Sequence, residues 1–70
     1  MKLSARNVIK GTVVDVRKDT VAAQIQVDIG GGNLVTSTIT ADSANRLGLE
    51  TGKSVAVVIK ASDVILAVDD

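Results

Sequence analysis

From Val21 to Ile29 every odd position is apolar, while Gln24, Gln26 and Asp28 fall between them. Period-two alternation of this kind is a strand with one face on a core and one in water. Such a strand is not stable alone and needs paired neighbours. Asn7 to Lys18, rich in Val with Gly11 inside, reads as a long strand in which Gly11 is a bulge or a sharp bend. Lys18-Asp19-Thr20 is a polar turn that joins the two as a hairpin. Gly30-Gly31-Gly32-Asn33 is a second turn, followed by a strand from Leu34 to about Thr40 whose Thr and Ser suit a pleated surface. The period then changes. Thr40 or Asp42 caps a short helix, Ala41, Ala44 and Leu47 share one side of it, and Gly48 ends it with Leu49 folding back. After the turn Glu50-Thr51-Gly52-Lys53, Val55–Ile59 and Val64–Val68 are two short, nearly continuous apolar strands. They are apolar on both faces, so their second face needs a cover, and Val57 is a candidate residue of that face. The order strand, strand, strand, short helix, strand, strand predicts an all-β fold with one short helix, a five-stranded OB-like Greek-key barrel. A single domain over residues 1–70 is expected.

The core of such a barrel comes from twelve Val, six Ile, five Leu and eight Ala, because the 70 residues include no aromatic side chain. Domains this small usually add disulfides, a structural metal or partner subunits. Without Cys or His the first two are missing, which leaves association between chains. Eight basic residues balance eight acidic ones, arguing against general attraction to nucleic acid or anionic membranes. Apolar runs of four to five residues fall far short of the roughly 20 that span a bilayer. The stretch from Met1 to Gly11 has Lys2, Arg6 and Lys10 but no apolar centre, so a cytoplasmic location is expected. The Gly triplet precedes a strand, whereas a phosphate loop precedes a helix.

Three polar clusters interrupt the aliphatic chain: Ser4-Ala5-Arg6-Asn7, Thr40-Ala41-Asp42-Ser43 and Lys60-Ala61-Ser62. Any one of them alone is an ordinary cap, turn or wet surface. Together they hold two cations, several hydroxyls and small residues beside which backbone N–H groups stay open. A site composed of donors suits a small anion that is held without being transformed. No general base beyond ordinary carboxylates is present, so an enzyme and a catalytic cofactor are not expected.

These clusters and their order resemble the molbindins, small molybdate-binding Mop-domain proteins, over nearly the whole chain. The opening is Ser4-Ala5-Arg6-Asn7 with Gly11-Thr12-Val13, and the middle is Thr38-Ile39-Thr40-Ala41-Asp42-Ser43 with Leu47-Gly48-Leu49 and Gly52-Lys53. The end is Val58-Ile59-Lys60-Ala61-Ser62. The resemblance implies an OB-like fold, a homohexamer built as a trimer of dimers, and molybdate or tungstate bound as an oxyanion between subunits rather than as a bare metal ion. It also implies a second kind of site at a threefold axis. Position by position it assigns charge to Arg6 and Lys60, hydroxyl donors to Ser4, Thr40 and Ser43, and a backbone N–H to Ala61. Asp42 is expected to turn away from a dianion, capping the helix or pairing with a cation.

Molybdate is a tetrahedral dianion with four acceptor oxygens and no donor, which matches this donor set. A hydrogen bond to a charged group contributes about 1.5–3 kcal/mol, so five or six contacts reach the roughly 8 kcal/mol of micromolar binding after ordering costs. Two alternatives stand beside this reading. A ligand-free structural oligomerisation module accounts for the composition. An OB-type binder of single-stranded nucleic acid needs aromatic platforms and a basic groove, and this chain supplies neither.

Overall fold

The computed structural model describes residues 2–69. Its strands are β1 (Asn7–Lys18), β2 (Ala22–Gly30), β3 (Asn33–Thr40) and β4 (Ser54–Ile59); helix α1 (Ala41–Leu47) lies between β3 and β4. One antiparallel sheet has the order β3-β2-β1-β4. Three hairpin-connected strands, with the fourth returning beside the first, make a Greek key.

β1 changes partner along its length. Asn7 to Thr12 pair with Ile59 to Ser54 of β4, and Thr12 to Lys18 pair with Asp28 to Ala23 of β2. The irregularity that lets it turn lies between Val13 and Asp15, where Val14 is the extra residue. This corrects the placement of the bulge at Gly11. Gly11 serves a close approach instead: a Cβ there would stand 2.6 Å from Val27 Cγ1 and 2.8 Å from the Asp28 carbonyl oxygen.

The alternation of β2 survives folding intact. Ala23, Ile25 and Val27 are buried with Val13 and Ala44, and Val16, Ile29, Ile39, Leu49, Val55 and Val57 pack around them. Val57 therefore faces the core, contrary to its expected place on the second face; Val58, partly exposed opposite Val8, is on that face. The helix is bounded as its sequence dictates. Thr40 Oγ1 accepts from the Ser43 N–H at 3.0 Å, and Gly48, at φ +62°, closes the far end while Leu49 N–H reaches Ala44 O. Ala41 and Ala44 are buried, but Leu47 is exposed.

The fifth strand is not formed. Val64–Val68 has no ladder partner among the described residues, and Ile65, Leu66 and Val68 are 93%, 87% and 88% exposed. The sheet is consequently not closed into a barrel: β3 and β4 are its two edges. Between them lies an apolar trough of about 200 Å³, lined by Val35, Ile39, Leu47, Leu49, Val55 and Val57. The apolar pattern of the tail predicts a segment covered on both sides, and within this chain nothing among the described residues covers it.

Candidate functional site

Arg6 and Lys60 are brought together by the β1–β4 ladder. Its last pair is Asn7 with Ile59, and Asn7 Nδ2 donates to the Ile59 carbonyl at 3.2 Å. The next residues outward are Arg6 on one strand and Lys60 on the other, with Ser4 and Ala61 just beyond. All four are exposed, and Arg6 and Lys60 directly follow the last ladder pair at the same end of the sheet. Among the described residues the ion pairs are Arg17–Asp15 and Arg46–Asp42, and neither Arg6 nor Lys60 belongs to one. Ala61 opens a single 3₁₀ turn, Ala61–Asp63, in which Asp63 N–H bonds to Lys60 O at 2.9 Å. The first N–H groups of such a turn have no partner within it, so those of Ala61 and Ser62 are free to donate to a ligand.

Thr40 and Ser43 belong to a different place. Thr40 pairs with Ala22, Ala41 N–H bonds to Val21 O at 2.9 Å, and Lys18 Nζ reaches Asn45 Oδ1 at 2.7 Å. These contacts fix the start of α1 at the Lys18 end of β1, whereas Arg6 and Lys60 stand at the Asn7 end. A 12-residue strand has a contour of about 36 Å at ~3.3 Å per residue. The six residues thus form two groups, Ser4, Arg6, Lys60 and Ala61 in one and Thr40 and Ser43 in the other, at opposite ends of the same strand.

The second group is hydrogen-bonded internally. Thr40 Oγ1 donates to Ser43 Oγ at 2.9 Å, and Arg46 Nη2 donates to the same oxygen at 3.3 Å. Arg46 also pairs with Asp42 at 3.7 Å, which is the cation expected to occupy that carboxylate. Spacing of three residues on a helix puts Thr40, Ser43 and Arg46 on one face; that signal was available in the sequence.

A shallow concavity of about 750 Å³ lies where β1 leaves β2 for β4 and contains Lys10, Thr12, Asp28 and Ser54. It includes none of the six residues. Among the described residues no group of three or more His, Cys, Asp or Glu is placed to hold a metal ion. No helix among the described residues is long and apolar enough to cross a membrane.

Residues 3–66 match the TOBE domain. The chain is 44% identical over 69 residues to the probable molybdenum-pterin-binding protein of Haemophilus influenzae, covering 99% of this chain and 100% of that one. Its structure is similar to that of a molybdate-binding protein from Sporomusa ovata, with a TM-score of 0.89 and 36% identity across 96% of this chain and 98% of the other. It also matches the cytoplasmic molybdate-binding protein ModG with molybdate bound, at a TM-score of 0.93 and 42% identity, covering 99% of this chain and 49% of ModG. With its order of strands and these relatives, the chain belongs to the molbindin family of TOBE domains.

Proposed function

We propose that this protein binds molybdate or tungstate as the intact oxyanion, between copies of itself and without turnover, in a cytoplasmic role of molybdenum storage, buffering or homeostasis. The observation that carries this reading is the placement of Arg6 and Lys60 at the same end of the β1–β4 ladder, neither of them in an ion pair among the described residues. Two like charges left adjacent are stabilised by a dianion placed between them. Ser4 Oγ–H and the Ala61 N–H supply directional donors next to that charge. Thr40 and Ser43, at the other end of β1, complete the shell from a neighbouring copy, Ser43 as the donor and Thr40 through its bond to Ser43.

The same geometry supports self-association, and the assembly we propose is a homohexamer, a trimer of dimers, of one Mop domain per chain. An unclosed seam between β3 and β4 and an exposed apolar tail are complementary features. Val64–Val68 of one copy, laid in the seam of another, supplies the fifth strand and closes the OB-like barrel. An oxyanion site at a contact between chains is dry, and its size discriminates. Sulfate is smaller than molybdate and cannot reach every donor at once.

Calorimetric titration tests the reading. Molybdate and tungstate are expected to give heat and saturation, and sulfate little. Arg6→Ala is expected to lower molybdate affinity about 10- to 100-fold, the loss of one hydrogen bond to a charged group, with the native mass of the assembly unchanged. Unaltered affinity in that variant removes Arg6 from the site. The exposed tail alone favours a second reading, a ligand-free oligomerisation module; a melting temperature indifferent to every oxyanion supports it.

A further inference from the structure

We propose that Arg46 is a positioning and charge-matching residue of the oxyanion site, an inference that rests on the molybdate-binding reading above. Ser43 Oγ accepts two hydrogen bonds, from Thr40 Oγ1 at 2.9 Å and from Arg46 Nη2 at 3.3 Å. A hydroxyl has two lone pairs and one proton. With both lone pairs engaged, the Ser43 proton is left for a further acceptor. Thr40 is spent in the opposite sense, because its oxygen accepts from the Ser43 N–H and its proton goes to Ser43 Oγ. The donor that this group offers is therefore Ser43, polarised by a cation, rather than Thr40.

Arg46 has a second effect. Asp42 lies next to Ser43 in the chain, and its carboxylate repels a dianion at that position. The Arg46 guanidinium, 3.7 Å from Asp42 Oδ2, offsets part of this repulsion. Side-chain exposures of 72% for Arg46 and 88% for Asp42 keep the magnitude modest, since water and salt screen the pair.

The test is calorimetric titration with sodium molybdate of the intact wild-type assembly and of Arg46→Gln, Arg46→Lys and Asp42→Asn/Arg46→Gln. Arg46→Gln is expected to weaken binding roughly fivefold, with native mass unchanged and a deficit that shrinks as ionic strength rises. Arg46→Lys, which keeps the charge, is expected to recover part of the loss. Removing the carboxylate in the double variant is expected to recover part as well. Wild-type affinity in Arg46→Gln overturns the proposal, as does a loss that neither Lys nor Asp42→Asn relieves. The underlying reading fails in a distinguishable way: the wild type itself then gives no heat with molybdate, and both ideas fall.

Discussion

Gly11 illustrates how much a missing side chain can decide. Its position inside an apolar run marked it as special, and two roles, bulge and bend, were equally compatible with the sequence. In the fold the bulge is at Val14, and Gly11 is where the backbone of β1 meets Asp28 and the Val27 side chain. Gly11→Ala is expected to destabilise the fold by about 1–3 kcal/mol, because one of the atoms in the way is backbone and cannot rotate aside. Urea unfolding of the two proteins measures this; equal midpoints would show that β1 and β2 separate without cost. Arg6 and Lys60 were legible as cations in polar clusters, but their adjacency was not. It follows from the register of two strands far apart in the chain. Arg46 shares a helix face with Thr40 and Ser43 by its spacing, but that its guanidinium reaches Ser43 Oγ follows only from the fold.

The β1–β2 hairpin shows local chemistry acting on an element. Asp19 Oδ1 accepts the N–H groups of Val21 and Ala22, both at 2.8 Å. Those bonds, Ala22's first and Val21's second, hold its carboxyl below the usual aspartate range. A depressed folded-state value means that folding favours the ionised form. The contribution is present above the ordinary value of about 3.9 and is lost as pH falls through the lower folded value. Wild type is accordingly expected to lose melting temperature on acidification below about pH 4, and Asp19→Ala to show a shallower acid limb of that profile. Superimposable profiles would remove Asp19 from the turn's stability. Helix α1 was legible at both ends, because Thr40 as a cap and Gly48 in the left-handed region are local requirements. Its buried stripe was less so: Leu47 fits the spacing of Ala41 and Ala44 but reaches the open trough instead of the closed core.

At the scale of the whole molecule the unpaired tail dominates. Three large aliphatic side chains, Ile65, Leu66 and Val68, stand almost fully in water, and burying each contributes about 1.5–3 kcal/mol. Deleting residues from Val64 onward is expected to leave a folded but monomeric protein with little molybdate affinity, as read by native mass spectrometry and calorimetry on one sample. An assembly of unchanged mass after the deletion would show that another surface, such as the exposed Val8 and Val58, holds the copies together.

The sequence by itself determined the strands of the sheet, the turns between them, both helix boundaries and a donor-rich chemistry. All of these follow from periods of two or three to four residues and from caps, which neighbouring residues encode. Only the tertiary structure decided that Arg6 lies beside Lys60, that Thr40 and Ser43 stand at the other end of β1, and that Val64–Val68 finds no partner within its own chain. Those outcomes depend on the register between distant strands and on the surface that remains uncovered once the core is filled, and neither quantity is local.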